Sequence, residues 1–423
     1  MTDFEHSVHL NSDLCKGCIN CIKRCPTQAI RVRNGKATII SEFCIDCGEC
    51  IRVCPHHAKL ATYDPIDVLK NYEYKVALPA PSLYAQFNNL DDINIVLNAL
   101  KLMGFDDVYE VSSAAEMVSE MSRRYVADNK KKRPFISTAC PTIVRLVSIR
   151  FPNLIEHLLP FNAPVDIAAS LARKKAIENT GLPSDKIGVI FISPCPAKVT
   201  ACKKPIGIDK SDVDAVIAIK EVYPVLLPLM KQVVDMPEEL SSSGRIGVSW
   251  GNSGGESGGM LTDSYLAADG IENVIRVLED LEDEKINRLE FIELNACSGG
   301  CVGGVLTVEN PYVAQAKLKH LCKYLPVACN HLNTDYIDEA FLQKPIEYNP
   351  VFKLADNFMD SIAAMSRINE LCDKFPGLDC GSCGAPTCKS LAEDIVRGVA
   401  SEHDCIEVLR KYIKQKSKEL NNK

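Results

Sequence analysis

Residues 15–55 carry the same cysteine run twice, and no other feature of this 423-residue chain restricts its fold as tightly. Cys15, Cys18, Cys21 and Cys25-Pro26 recur as Cys44, Cys47, Cys50 and Cys54-Pro55, with identical spacing. Three close thiols can wrap one face of a compact polynuclear group, and the proline then turns the chain away. Zinc sites prefer paired C-x2-C units roughly a dozen or more residues apart, so four-cysteine runs fit zinc poorly. The chain holds 20 cysteines in all. A disulfide-stapled secreted protein would be short and led by an export signal. This chain is long and opens Met-Thr-Asp-Phe-Glu-His-Ser, which predicts metal ligation in a reducing cytoplasm.

The duplicated run is the pattern of the bacterial two-cluster ferredoxin, in which the fourth cysteine of each run serves the other cluster. On that pattern Cys15, Cys18, Cys21 and Cys54 hold one 4Fe-4S cubane, and Cys44, Cys47, Cys50 and Cys25 hold a second. Strand-like Ala29–Arg33 and Ala37–Ile40 flank Asn34-Gly35, a hairpin turn signal. His56 and His57 read as surface residues, because eight thiolates already satisfy both clusters. Electron relay is the expected role.

Length predicts about three domains at roughly 150 residues each. We place them at 1–70, 71–350 and 351–423. An apolar content of 46% supports packed cores, and a net charge of −7 argues against nucleic acid as the main partner. No apolar run reaches the roughly 18 residues that span a bilayer.

From about residue 72 short apolar runs alternate with helical patterns, which predicts an α/β domain. The expected strands are Lys75–Leu78, Asp107–Val111, Phe135-Ile136, Ile187–Ile192, Ala215–Ile219, Arg245–Ser249 and Phe291–Leu294; the expected helices are Ile93–Met103, Ala114–Ala127, Asp166–Asn179 and Tyr223–Val234. Several strands run into unusual elements: Pro79-Ala80-Pro81-Ser82, Ser137–Pro141, Ser193–Pro196, the glycine-rich Gly251–Gly259, and Cys297-Ser298-Gly299-Gly300-Cys301. Ligands of open parallel sheets gather beyond the carboxyl ends of strands. Cys140, Cys195, Cys297 and Cys301 are therefore predicted to converge between two sheets. Pro141, at the first turn of a helix, would aim a positive dipole end there.

Three of these segments resemble the three H-cluster motifs of iron-only (FeFe) hydrogenases. They read Ser137-Thr-Ala-Cys-Pro-Thr-Ile143, Ser193-Pro-Cys-Pro-Ala-Lys-Val-Thr-Ala201 and Glu293-Leu-Asn-Ala-Cys-Ser-Gly-Gly-Cys-Val-Gly-Gly-Val305. The resemblance implies a two-lobed α/β domain with mostly parallel sheets, preceded by the ferredoxin-like α+β domain and followed by a small helical 4Fe-4S domain. It implies that Cys140, Cys195, Cys297 and Cys301 hold a cubane and that Cys301 bridges to a two-iron unit carrying CO, cyanide and an azadithiolate. Lys198 would donate a charged hydrogen bond to a cyanide. Pro79, Ala80, Gly254 and Gly255 would bring backbone close to the group.

The sequence also departs from those motifs. Ala139 stands where catalytic members place the proton-shuttling cysteine, and general acid–base help of that kind is worth roughly 10² to 10⁴ in rate. Ser193 and Asn295 replace two methionines, which should make the pocket more polar. Ala201 replaces a glutamate and Ile143 a tryptophan. This combination resembles the sensory branch of the family. Glu256, Glu116 and Glu120 are candidates for a substitute proton route, the last two reading more readily as exposed helix carboxylates.

Residues 351–372 read as an amphipathic connecting helix. The following Cys380, Cys383, Cys388 and Cys405 resemble the ligands of a small 4Fe-4S domain of sensory-type hydrogenases. The lysine-rich Cys405–Leu420 segment should pack on its own domain or meet a partner helix. Cys202, Cys322, Cys329 and Cys372 remain and read as isolated buried thiols.

The expected function is reversible reaction with hydrogen at low turnover, reporting hydrogen or redox state. Electrons would pass through three accessory 4Fe-4S clusters to a ferredoxin or a separate signalling protein, and a homodimer is compatible with this reading. The alternatives are a non-enzymatic iron–sulfur carrier lacking the two-iron unit and a fermentative ferredoxin hydrogenase.

Overall fold

The computed structural model describes residues 5–332 and 336–421. The chain divides into two compact units: Met1–Ser7, Ile45–Gly48 and Thr62–Tyr348 form one, and Val8–Cys44, Glu49–Ala61 and Asn349–Lys423 the other.

The second unit begins with β1 (Val8–Leu10), β2 (Ile30–Arg33), β3 (Lys36–Ile39) and β4 (Lys59–Ala61). The strands β2 and β3 form the hairpin expected around Asn34-Gly35, with Ile30 opposite Ile39, and β1 pairs antiparallel with β4. Asn34 and Gly35 both take positive φ (51° and 72°), as the tight two-residue turn demands. Val8, Ile22, Ile30, Ala37 and Ala58 pack with Cys15, Cys21 and Cys50 into one core. A second core joins Ile368, Leu371, Phe375, Ala385 and Leu391 to Cys405. Its helix spans Phe358–Lys374, seven residues later than the apolar pattern predicts, because the Asn357 side chain caps the Asp360 amide at 2.8 Å.

These two cores dock on each other. The Val32 amide donates to the Gly384 carbonyl at 2.8 Å. Arg31 Nε and Arg33 Nη2 both reach Asp394 Oδ2, at 2.7 and 2.8 Å. Lys23 bonds the carbonyls of Asp379 and Pro386. The sequence carries no signal for this pairing of residues some 360 positions apart.

In the first unit β5 (Tyr74–Pro79), β6 (Asp107-Val108), β8 (Ile187–Ser193) and β9 (Ala215–Ala218) form a parallel sheet in the order β6-β5-β8-β9. A second parallel sheet runs β10 (Tyr265–Asp269), β11 (Phe291–Asn295), β7 (Phe135-Ile136). Every residue of β8 and β9 is buried, which explains their unbroken apolar runs. The fold is mixed α/β with parallel sheets, as expected.

Three sequence readings are corrected. Arg245–Ser249 is a short helix, not a strand. It crosses the helix Val111–Asp128 so closely that a Cβ on Gly247 would lie 2.0 Å from the Ser112 carbonyl oxygen. Helix packing there overrides the strand-like Ile-Gly-Val pattern. The partner strand of β11 is Tyr265–Asp269, a mixed segment with no period-two signature. Residues 109–111 leave the strand at Val108 because Val111 opens that long helix.

Candidate hydrogenase-type metal centre

The elements beyond the strand ends of both sheets enclose one cavity in the first unit. From β5 come Ala80, Pro81 and Ser82; after β7 come Ser137, Ala139 and Cys140; β8 leads to Pro194 and Lys198; Trp250, Gly251 and Glu256 follow the short helix; and β11 supplies Glu293, Leu294 and Asn295, with Cys301 beyond. Cys140 and Cys195 each occupy the residue just before a helix, Pro141–Arg150 and Pro196–Lys203. Proline opens both helices, so their free amides and positive dipole ends face this region.

Lys198 lies in the first turn after Cys195, which carries its ammonium back toward the thiols. Its Nζ stands 3.4 Å from Cys301 Sγ. Removal from water opposes the charge on Lys198, but the thiolates of Cys301, Cys195 and Cys140 outweigh it and hold the ammonium above its usual range. Burial pushes the Cys195 thiol up to about 11, with Lys198 pulling the other way and Cys301 and Cys140 adding repulsion. Mutual repulsion of the deprotonated sulfurs is what metal ions bound by them would relieve.

The cysteine loop and the glycine-rich turn interlock. Ser253 donates its amide to the Gly299 carbonyl at 3.0 Å, and Val302 donates to Gly251, also at 3.0 Å. Gly300 has φ 86°, and a Cβ there would meet the Ser253 nitrogen at 2.4 Å. Only glycine permits that approach. Gly251–Gly254 is a turn, but Gly255–Gly259 is a short helix rather than a continuous loop.

Two carboxyls sit at the back of the cavity. Ser137 Oγ donates to Glu256 Oε2 at 2.6 Å. Glu293 accepts from the amides of Gly254 (2.9 Å) and Ser257 (2.8 Å) and from Asn295 Nδ2 (2.8 Å). Burial and the adjacent Glu293 raise Glu256 well above the ordinary carboxyl range. Burial raises Glu293 too, but its three hydrogen bonds oppose that, so Glu256 is the proton-holding member of the pair and Glu293 the better hydrogen-bonded one.

Of the expected residues, Ala80, Ala139, Cys140, Lys198, Asn295, Glu256 and Cys301 line the cavity, whereas Pro79, Ser193, Cys195, Gly254, Gly255 and Cys297 do not. Ser193 adds no polarity to the wall because its hydroxyl is spent on the Cys195 amide and carbonyl. Cys297 follows β11 as predicted, and its carbonyl accepts from Gly300 at 3.1 Å. Glu116 is buried, not exposed, and it fastens two segments by bonding the amides of Gly244, Cys329 and Asn330. Glu120 pairs with Arg124 and the Leu332 amide. Neither glutamate reaches the cavity. Trp250 is the lining residue that sequence reasoning missed. Its indole donates to Ser119 Oγ at 3.0 Å, and its position just after a helix misread as a strand concealed it. Ile143 is fully buried in the core instead.

The accessory thiols carry repeat symmetry in their contacts. The Ala29 amide lies 3.2 Å from Cys25 Sγ, and the Ala58 amide 3.3 Å from Cys54 Sγ. Amides aimed at cysteine sulfur in this way stabilise thiolate ligands. Cys383, Cys388 and Cys405 border the second core of the second unit, and Cys380 is exposed. Cys202 and Cys322 are buried as expected, but Cys372 is only half-buried and Cys329 is exposed.

The family "Iron only hydrogenase large subunit, C-terminal domain" matches residues 73–267 and 258–305. A 4Fe-4S dicluster domain matches 7–55, and a family named for an Fe-S cluster matches 375–406. The chain belongs to the iron-only hydrogenase family. It is 23% identical over 256 residues to the NADP-reducing hydrogenase subunit HndD of Solidesulfovibrio fructosivorans, covering 49% of this chain and 44% of that one. With iron hydrogenase 1 of Clostridium pasteurianum it shares 23% identity over 361 residues, 69% of this chain and 62% of that one. The chain thus spans less than two thirds of either relative. The FeFe-hydrogenase HydA1 of Chlamydomonas reinhardtii, solved as a variant, aligns at TM-score 0.46 and 15% identity over 60% of this chain and 87% of its own. Among the described residues no helix is long and apolar enough to cross a membrane.

Proposed function

We propose that the chain holds an H-cluster-type group and reacts reversibly with hydrogen, H2 giving two protons and two electrons, at low turnover and in a sensory role. The observation that carries this reading is the Lys198 ammonium 3.4 Å from Cys301 Sγ on the wall of a cavity that also presents Cys140 and Ala139. Ser82 Oγ, fully buried on the same wall, has no hydrogen-bond partner among the described residues. A cation and an orphaned hydroxyl facing one cavity fit an anionic group that accepts hydrogen bonds.

Cys140, Cys195, Cys297 and Cys301 are the proposed cubane ligands, with Cys301 also joining the two-iron unit. When bound, that unit supplies heterolytic hydrogen chemistry. The protein's part is to hold it dry and to handle protons. Ala139 offers no exchangeable proton at the wall. Ser137 donates its hydroxyl to Glu256 Oε2, so a proton taken up at Ser137 Oγ from the cavity is matched by the hydroxyl proton passing to Glu256, with the Ala139 amide orienting the hydroxyl at 3.2 Å. A serine–carboxyl relay in place of a thiol at position 139 accounts for slow exchange rather than none.

On the electron side, eight thiols of the duplicated run and Cys380, Cys383, Cys388 and Cys405 are proposed to hold three accessory cubanes. Lys23 lies in the helix Asn20–Arg24, between Cys21 and Cys25, and bonds the carbonyls of Asp379 and Pro386 within the C-terminal cysteine motif. That contact supports electron exchange between the two cysteine motifs. A ferredoxin or a signalling protein would be the outer redox partner, and the cytoplasm the expected compartment.

Infrared spectroscopy of the matured protein, paired with a hydrogen-oxidation assay, tests the proposal. Bands of iron-bound CO and cyanide with slow turnover are expected. An absence of bands would leave an iron–sulfur carrier, and rates matching bulk hydrogen producers would remove the sensory role.

A further inference from the structure

The two ferredoxin repeats align position by position through Lys59, sharing their cysteines, the proline and the alanine that follows. Cys25-Pro26-Thr27-Gln28-Ala29-Ile30 corresponds to Cys54-Pro55-His56-His57-Ala58-Lys59. Gln28 and His57 share the same left-handed backbone, φ 54° and 50°, and the amides of Ala29 and Ala58 meet Cys25 and Cys54 sulfur at matching distances. Ile30 and Lys59 therefore hold equivalent places, and each is 2% exposed. One is an ordinary core isoleucine; the other is an ammonium group in the same kind of site.

Lys59 is among the largest fully buried side chains of the protein, and its Nζ has no hydrogen-bond partner among the described residues. Burying an ammonium without a counter-charge costs several kcal/mol. Ile30, its repeat counterpart, and Ala58, its neighbour in the chain, share one core with Cys15 and Cys21 of the first proposed cubane and Cys50 of the second, and the Ala58 amide meets Cys54 Sγ at 3.3 Å. A strand position that could have held isoleucine, as its repeat counterpart does, instead buries an ammonium group.

We infer that Lys59 is a positioning residue that holds a permanent positive charge beside both ferredoxin cubanes and raises their reduction potentials. Adding an electron to a cubane adds a negative charge, and a nearby buried cation favours the reduced form, being weakly screened there. The charge would let both clusters hold electrons that an apolar residue at position 59 would release. This inference rests on the two-cubane reading of the duplicated run.

Potentiometric titration of the full chain, followed by electron paramagnetic resonance, tests it in Lys59→Met and Lys59→Ile, with Lys59→Arg as the charge-keeping variant. Iron and labile sulfide are counted first. A wild type lacking the full complement would refute the cubane reading itself, separately from the role of Lys59. With clusters loaded, both ferredoxin signals are expected to titrate at lower potential in the Met and Ile variants and to stay nearer the wild type in Lys59→Arg. Unchanged potentials in fully loaded Lys59→Met would overturn the inference. Should Met and Ile lose the clusters while Arg retains them, the charge is required to hold two anionic groups, and the inference stands. Should Arg lose them too, the side chain acts by packing, and the inference falls.

Discussion

Lys198 and Lys59 both set an ammonium among thiols, and the two regions hold that charge in opposite ways. Lys198 stands on a cavity wall with one sulfur at 3.4 Å and a proline-led helix fixing its stem. Lys59 is buried on a strand and its Nζ has no hydrogen-bond partner among the described residues. The first arrangement orients a donor toward one group, which suits recognition. The second supplies a field over two groups, which suits the tuning of potential. On the proposed function, the charge at the reacting group needs geometry, and the charge beside the electron-carrying groups needs only burial.

If the two regions are separable in this way, Cys301→Ser should have the largest and most local effect. Hydrogen oxidation and the CO and cyanide infrared bands should fall to background, while the ferredoxin electron paramagnetic resonance signals persist. Loss of the ferredoxin signals as well would break the comparison. Next in size, Asp394→Ala leaves the buried Arg31 guanidinium unpaired in the second unit. Removing one partner of such a pair costs about 3–5 kcal/mol, measurable by denaturant unfolding and as faster proteolysis of residues 349–421.

A third prediction concerns pH. Burial pushes the Asp166 carboxyl up to about 6 from 3.8, against a hydrogen bond from Ser211. The folded state then binds a proton that the unfolded chain takes up only near pH 4. Stability from this group is present below that pH and is lost as pH rises through 6. Asp166→Asn should flatten unfolding free energy across that window, by at most about 3 kcal/mol at roughly 1.4 kcal/mol per pKa unit. Smallest in free energy are the proton-route variants. Glu256→Gln should slow hydrogen oxidation about 100-fold and Ala139→Cys should raise it by a similar factor, each about 2.7 kcal/mol. Unaltered rates in both would show that proton exit does not limit this site.

The cavity was legible in the sequence to the extent that its chemistry is carried by cysteine. Cys140, Cys195 and Cys301 could be placed because each follows an apolar strand run, and Lys198 because its motif spacing puts it one helical turn from Cys195. Trp250 was not legible, since Arg245–Ser249 imitates a strand and becomes a helix only through its close crossing at Gly247. Glu116 misled for the opposite reason. Its place on a helix said nothing of the three backbone amides that two distant segments would bring to it.

Sequence alone therefore determined the two ferredoxin runs, the parallel α/β frame and the family, because metal spacing and apolar periodicity are local properties of the chain. Tertiary structure decided the docking of residues 30–33 on 384–394, the Ser137–Glu256 contact and the burial of Lys59. Each depends on groups far apart in the chain meeting out of water, and a lysine in a list of letters does not say which side of a strand faces the solvent.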